Sequence, residues 1–254
     1  MDTINRIPEV PEKGHCEKHG EYEFKYLKLV KKVMVMSNCS VCATEKSMVD
    51  AANDKDTQDN INIDNAKRRR ESARVNAGIS KRNLYKTFDD YICTSEGQTK
   101  AKNDCMRYVN EFPTDKSLIM VGGVGTGKTL LASAMLDNLV DKNHCKMIKV
   151  IDMVRELKAT WSRDNIETEE LLIKKYCKLD LLILDEVGSQ FGSDTEKLFI
   201  FDVIDGRYQE MLPTILISNL DIDGVKEVVG ERCVDRLREG GGSMIAFNWN
   251  SSRN

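Results

Sequence analysis

Long apolar runs are missing from this 254-residue sequence. No stretch of eighteen consecutive apolar residues occurs, which excludes a membrane-spanning helix of ordinary length. The N-terminus has no apolar core of the kind secretory signals carry, so the expectation is a cytoplasmic protein with no membrane partner. A positive excess is missing too. The net charge is −3 and the pI about 5.8, so any nucleic-acid surface must be local rather than a property of the whole chain. Internal repeats and low-complexity tracts are absent, and residues 45–86 are nearly free of glycine and proline. What is present, 41% hydrophobic residues over this length, suits one large soluble α/β domain with a small appendage.

Composition separates three regions: 1–44, 45–86 and 87–254. The first holds a cysteine cluster and an alternating stretch, Glu21-Tyr-Glu-Phe-Lys-Tyr26, that reads as strand. The second is blocky in charge. Five Asp and one Lys lie between Asp50 and Asp64, then eight basic residues and one acidic between Lys67 and Lys86, as in a helical linker or a partly disordered arm. The third alternates helix-patterned runs with short apolar strands. Strands are predicted at 117–121, 146–151, 181–184, 214–218 and 243–248, with helices at 130–140, 152–161, 169–177, 195–209 and 225–238. Such alternation predicts a three-layer α/β/α domain on a five-stranded parallel sheet.

The strongest motif is Gly122, Gly123, Val124, Gly125, Thr126, Gly127, Lys128 and Thr129. It is a complete G-x-x-x-x-G-K-[ST] loop between an apolar strand and a helix, the context that confirms a phosphate-binding P-loop. Its glycines let backbone N–H groups turn toward phosphate oxygens. Lys128 would reach the β- and γ-phosphates and the Thr129 hydroxyl would ligate Mg²⁺. About fifty-five residues on, Leu181-Leu-Ile-Leu-Asp185-Glu186 describes a buried strand delivering two carboxylates. Asp185 suits the Mg²⁺ shell and Glu186 a general base for the attacking water. Asn219, ending the strand 214–218, either orients that water or simply starts a turn. Arg232, Arg236 and Arg238 share a short helix, as an arginine supplied to a neighbouring subunit or as a solvated basic face. Arg253 is equally open.

Near the N-terminus, Cys16 and His19 form C-x2-H, and nineteen residues later Cys39 and Cys42 form C-x2-C. Mixed thiolate and imidazole ligands at these spacings suit a structural Zn²⁺ in a zinc-ribbon-like module. A unit with so few large apolar groups needs a metal to fold. A disulfide with one free thiol is the alternative, and the absent secretory signal argues against it. His15 adjoins the cluster but falls outside the spacing. Of the other five cysteines, Cys93, Cys105, Cys145 and Cys233 lie singly in periodic segments and Cys177 just before a buried-looking strand, and all five read as small core or surface residues.

From about Asn76 onward, roughly 70% of the chain, the sequence resembles the DnaC replicative-helicase loaders and, more distantly, the IstB transposase helpers, both AAA+ ATPases. The resemblance is carried by Ala77-Gly-Ile, Thr87-Phe-Asp-Asp-Tyr91, Gly125-Thr-Gly-Lys-Thr129, Leu184-Asp-Glu186, Ser218-Asn-Leu220, Glu231-Arg-Cys-Val-Asp-Arg236 and Phe247-Asn-Trp249. The last two favour the loaders. It implies ATP as nucleotide, Asn219 as sensor I, Arg236 as an arginine finger acting in trans, and Arg253 as sensor II on a core without a helical lid. It also implies self-association, a DnaB-like replicative helicase and single-stranded DNA as partners, and DNA contact from the helix at 152–163. There Trp161 would stack on a base, with Lys158 and Arg163 at phosphates, unless Trp161 packs into the core. The cysteine cluster departs from cellular loaders and looks like phage and prophage versions. The resulting expectation is ATP-driven helicase loading, with a transposase-helper ATPase and a weakly hydrolysing ATP-gated adaptor as the alternatives.

Overall fold

The computed structural model describes residues 13–251, apart from 24, 30–31, 37–38, 163–165 and 190–192. It divides into two compact units, Met1–Lys67 and Arg68–Asn254. In the first unit, β1 (Lys13–Cys16) and β2 (Gly20–Glu23) form an antiparallel hairpin with Cys16 opposite Gly20. A second hairpin joins β3 (Lys25–Leu29) and β4 (Lys32–Met36). The alternating stretch at 21–26 is thus shared between two hairpins rather than forming one strand.

The charged segment resolves into helix α1 (Ser40–Asn76), which contains neither glycine nor proline. Its acidic residues fall mostly toward the N-terminal half and its basic ones toward the C-terminal half, with Arg74 in the last turn where the helix dipole favours a cation. The helix stops at a Schellman cap. Gly78 N–H donates to Val75 O (3.0 Å) and Ile79 N–H to Arg74 O (3.1 Å). Gly78 has φ +85°, and a Cβ there would lie 2.0 Å from Met147 O, so no side chain fits. Ala77 and Ile79 on either side are buried, and Ala77 O accepts from Met147 N–H at 2.7 Å. That explains the Ala77-Gly-Ile motif. Residues 77–86, grouped by composition with the charged stretch, therefore pack on the second unit.

This second unit is a five-stranded, all-parallel sheet in the order β6-β7-β8-β5-β9. The strands are β5 (Leu118–Gly122), β6 (Cys145–Lys149), β7 (Leu181–Val187), β8 (Thr214–Ser218) and β9 (Ser243–Phe247). Helices α2 (Glu96–Asn110) and α3 (Lys128–Leu139) cover one face. The other face is covered by α4 (Val150–Ala159), α5 (Glu169–Cys177), α6 (Asp194–Gln209), α7 (Ile222–Val229) and α8 (Glu231–Arg238). Burial on both sides explains the continuous apolar strands. Along β7, Leu181 and Ile183 enter one core while Leu182 and Leu184 enter the other.

Three boundaries differ from expectation. The strand predicted at 146–151 ends at Lys149, because Val150 opens α4 without a connecting loop. The run at 225–238 is two helices, broken at Gly230 (φ 91°, ψ 147°), a conformation no helix continues. Helix α2 was not anticipated, although Ser95 and Gln98 form its capping box, a pattern visible in sequence.

One buried cation ties the second face together. Arg207, on α6, is fully buried. Its Nη1 donates to Tyr176 O (2.6 Å) and Leu179 O (2.8 Å), its Nη2 to Pro213 O (2.6 Å) and its Nε to Thr214 Oγ1 (3.0 Å). Tyr176 and Leu179 flank the C-terminus of α5, whose unpaired carbonyls favour a cation. Burial pushes the guanidinium down to about 10, still charged at neutral pH. Arg207→Leu leaves three carbonyls without this donor at about 1–3 kcal/mol each, so urea denaturation should show a loss of about 3 kcal/mol or more.

Candidate nucleotide and metal sites

The P-loop joins the C-terminal end of β5 to α3. Gly127 precedes the helix with φ +94°, and a Cβ on it would lie 2.3 Å from the Tyr91 ring. The Lys128 ammonium lies within the loop, donating to Gly122 O (2.6 Å) and Gly123 O (2.7 Å). Burial lowers its pKa and the nearby Asp185 carboxylate opposes that shift. The loop is held from outside by two aromatic donors. Tyr91 Oη (3.1 Å) and Trp249 Nε1 (3.2 Å) both donate to Thr126 O. Phe247 lies beneath, its ring 5.9 Å from Lys128 Nζ and 4.9 Å from the Trp249 ring. The Thr87–Tyr91 and Phe247–Trp249 motifs thus support the loop.

Asp185 and Glu186 occupy the end of β7. Asp185 is 5% exposed. Its Oδ2 accepts from Thr129 Oγ1 (3.1 Å) and its Oδ1 from Glu186 N–H (2.8 Å). Burial raises its carboxyl pKa, with those two hydrogen bonds acting against the shift. A hydroxyl and a carboxylate oxygen in contact at a cleft floor form the oxygen-donor pair a hard cation such as Mg²⁺ takes. Glu186 has φ +56°, a left-handed conformation for a non-glycine residue, of the kind that concentrates at functional sites. Its carboxylate pairs with Lys149 Nζ at 3.0 Å, and that hydrogen bond raises the Lys149 pKa.

Asn219 follows β8, which lies between β5 and β7 in the sheet. Ser218 fixes its approach, donating to Val187 O (2.7 Å) and accepting from Leu220 N–H (3.1 Å). Lys128, Thr129, Asp185, Glu186 and Asn219 therefore line one cleft of about 630 Å³. The cleft's other wall was not foreseen. It is built from the stretch after α1, including Gly78, Arg82, Asn83, Tyr91 and Ile92. Asn83 Nδ2 pins this stretch to α3 through Ser133 Oγ (3.2 Å). Lys149 also escapes the sequence pattern, which puts it in the middle of a strand rather than at its end.

Arg236, Trp161 and Lys158 lie away from this cleft. Arg236 lines a groove with Ser117 and Thr214, at the N-terminal ends of β5 and β8 and so opposite the P-loop edge. Arg253 and Arg163 lie outside the described residues. Trp161 is 59% exposed, with Nε1 donating to Glu169 Oε2 (2.6 Å) and its ring 5.9 Å from that of Phe199. It packs partly on the protein while keeping an open face. Lys158 is paired with the buried Glu196 at 2.8 Å.

In the first unit, the ligand atoms of Cys16, His19, Cys39 and Cys42 all lie within 4.8 Å of one another. His19 Nδ1 is 3.8 Å from Cys16 Sγ, 3.7 Å from Cys39 Sγ and 3.3 Å from Cys42 Sγ, and Cys16 and Cys42 are 3.6 Å apart. A tetrahedron with Zn–S and Zn–N bonds of about 2.3 and 2.0 Å has edges of about 3.5–3.8 Å, so the donor set fits Zn²⁺. Cys16 and His19 flank the β1–β2 turn, and Cys39 and Cys42 sit at the N-terminal end of α1. Backbone N–H groups of His19 and Lys18 bring Cys16 down to about 6. Cys42, hydrogen-bonded to Cys16 and crowded by it and Cys39, is pushed up to about 11. Holding all three sulfurs as thiolates this close would take a cation between them. His19 Nε2 faces Glu45 Oε1 at 3.3 Å, the outer partner that metal-bound imidazoles usually have.

A family model described as IstB-like ATP binding protein matches residues 23–236. The replicative helicase loader DnaC of Buchnera aphidicola subsp. Acyrthosiphon pisum is 36% identical over 179 residues, 70% of this chain and 73% of that protein. Its counterpart in Escherichia coli K12 is 34% identical over 169 residues, 66% of this chain and 69% of its own. A crystal structure of the DnaC helicase loader superposes with a TM-score of 0.58 at 24% identity, covering 66% of this chain and 99% of that one, a likeness of fold.

The double grip on Thr126 O is open to direct measurement. Tyr91→Phe and Trp249→Phe each remove one hydrogen bond of about 0.5–1.5 kcal/mol. Each should weaken binding of a fluorescent ATP analogue by about 2- to 10-fold, and the double variant by more than either.

Proposed function

The chain belongs to the family of IstB-like ATP-binding proteins, and from that premise we propose that it is an ATP-dependent loader that delivers a replicative helicase onto single-stranded DNA. One observation carries this reading. Val124 to Thr129, Asp185, Glu186 and Asn219 line the cleft at one end of the sheet's strands, and Arg236 stands at the opposite end. Such a chain completes its ATPase site only beside another copy of itself.

In this reading the P-loop N–H groups and Lys128 hold the phosphates. Thr129 and Asp185 would hold Mg²⁺, which would supply positive charge against the phosphate oxygens. Glu186 takes the proton of the attacking water and Asn219 orients that water. Arg236 of a neighbouring copy reaches the charge that develops on the transferred phosphoryl group, and Arg253 contacts the nucleotide as sensor II. Hydrolysis then releases the loader. Cys16, His19, Cys39 and Cys42 hold a structural Zn²⁺ in a module of the phage type, and this module and the charged helix after it grip the helicase. The relatives named as replicative helicase loaders support the activity, and the convergent cysteines support the metal. The family's IstB description favours a second reading, a helper ATPase for a transposase.

Glu186→Gln should bind ATP as tightly as the parent and turn it over at least about 100-fold more slowly. Pull-down with a replicative helicase, ATP and single-stranded DNA should capture the helicase on the parent chain and not on Lys128→Ala. No capture, with binding to a transposase–DNA complex instead, would establish the helper reading. Elemental analysis of the purified protein should give one zinc per chain. A strong chelator should remove it and unfold the N-terminal unit, as followed by the circular dichroism of its strands.

A further inference from the structure

Helix α8 carries Arg232, Arg236 and Arg238, and Arg236 is held in one place by groups from α6. Its Nε donates to Asp205 Oδ1 at 3.0 Å. Its guanidinium lies over the Tyr208 ring, 4.4 Å from the centroid. Nη1 faces Glu239 Oε2 at 3.5 Å. The carboxylate is itself oriented, because Gln209 Nε2 donates to Asp205 Oδ2 at 2.6 Å. Despite these partners the Arg236 side chain stays 40% exposed, whereas Asp205 is 18% exposed.

This is not how a purely structural arginine of this fold is arranged. Arg207, two residues after Asp205 and one before Tyr208 on the same helix, is wholly buried, with its donors spent on three backbone carbonyls and the Thr214 hydroxyl. Arg236 is gripped at Nε and on one face, with Glu239 against Nη1, and its side chain is still partly at the surface. A free arginine side chain carries about 2 kcal/mol of rotamer entropy. Aromatic stacking and one oriented carboxylate remove most of that freedom before any phosphate arrives.

We propose that Asp205 and Tyr208 are positioning residues for phosphoryl transfer in trans: they pre-set the Arg236 guanidinium that one copy of this chain presents to the nucleotide of the next. The proposal rests on Arg236 acting on a neighbouring copy. Asp205 supplies direction through Nε, and Tyr208 supplies a plane on which the guanidinium lies flat. Because both belong to α6, the helix that follows the Asp185–Glu186 strand, the arginine offered to the neighbour is carried on the same scaffold as the chain's own carboxylates.

The test uses full-length protein with ATP and single-stranded DNA. Asp205→Asn should bind a fluorescent ATP analogue like the parent yet lose about 10- to 100-fold in turnover, the usual effect of a misplaced catalytic group. Tyr208→Leu should lose turnover as well, and Tyr208→Phe, which keeps the ring, should recover it. Mixing decides the route. Lys128→Ala binds no nucleotide but has an ordered Arg236, so adding it to Asp205→Asn should restore turnover that neither shows alone, and adding it to Arg236→Ala should do the same. If Arg236→Ala is restored and Asp205→Asn is not, Asp205 does not act through the arginine, and the proposal fails while the trans reading stands. Parent-like turnover of Asp205→Asn beside an inactive Arg236→Ala has the same meaning. If Arg236→Ala is not restored either, the trans reading itself falls, and this proposal with it.

Discussion

The hydrogen bond between the Thr129 hydroxyl and the Asp185 carboxylate, 3.1 Å long, joins the two motifs on which the ATP site depends. Thr129 opens a helix and Asp185 ends a strand, and 56 positions separate them in sequence. They meet because every strand of the sheet runs the same way and ends at the same edge. With β8 interposed between β5 and β7, the residue after β8 can only fall between the phosphate loop and the carboxylates. Asn219 owes its place to strand order rather than to any contact of its own. A parallel sheet thus converts three separate strand ends into one cleft.

Much of this was legible in the sequence. The β7 run of Leu181 to Leu184 announced a strand buried on both faces, because only that environment accepts four successive large apolar residues. The P-loop announced a strand–loop–helix turn, since its glycines serve no purpose in regular structure. What was not legible depended on long-range partners. Arg207 reads as one more polar residue of a solvated helix, and nothing local reveals that its acceptors are three carbonyls from two other segments. Lys149 was placed inside a strand because Val150 and Ile151 extend the apolar pattern, and periodicity does not register where a β-run becomes an α-run. The cleft wall after α1 was hidden by charge. Arg82 and Asn83 look like linker residues until Asn83 is seen bonded to Ser133.

The two units are stabilised in opposite ways. The larger has two apolar cores, one on each side of the sheet. The smaller has two short hairpins and the beginning of a long helix, and among the side chains described there Cys39 is the one buried hydrophobic. Its order depends on what joins Cys16, His19, Cys39 and Cys42. A cation held at their centre would do the work of a core, and Glu45 facing the far side of the His19 ring is the sort of outer contact that would fix which imidazole nitrogen is offered.

Arg207 also constrains the order in which the chain takes shape. Two of its acceptors, Tyr176 and Leu179, precede it in sequence, and the others, Pro213 and Thr214, follow it. A nascent chain that has emerged only as far as α6 holds half of the shell this cation requires. Burying the helix at that moment would leave charge without enough acceptors. Docking of α6 is therefore favourable only once residues 213 and 214 have left the ribosome, and those residues lead directly into β8. A guanidinium that takes no part in ATP chemistry thus ties the docking of α6 to the arrival of β8, the strand that bridges β7 and β5.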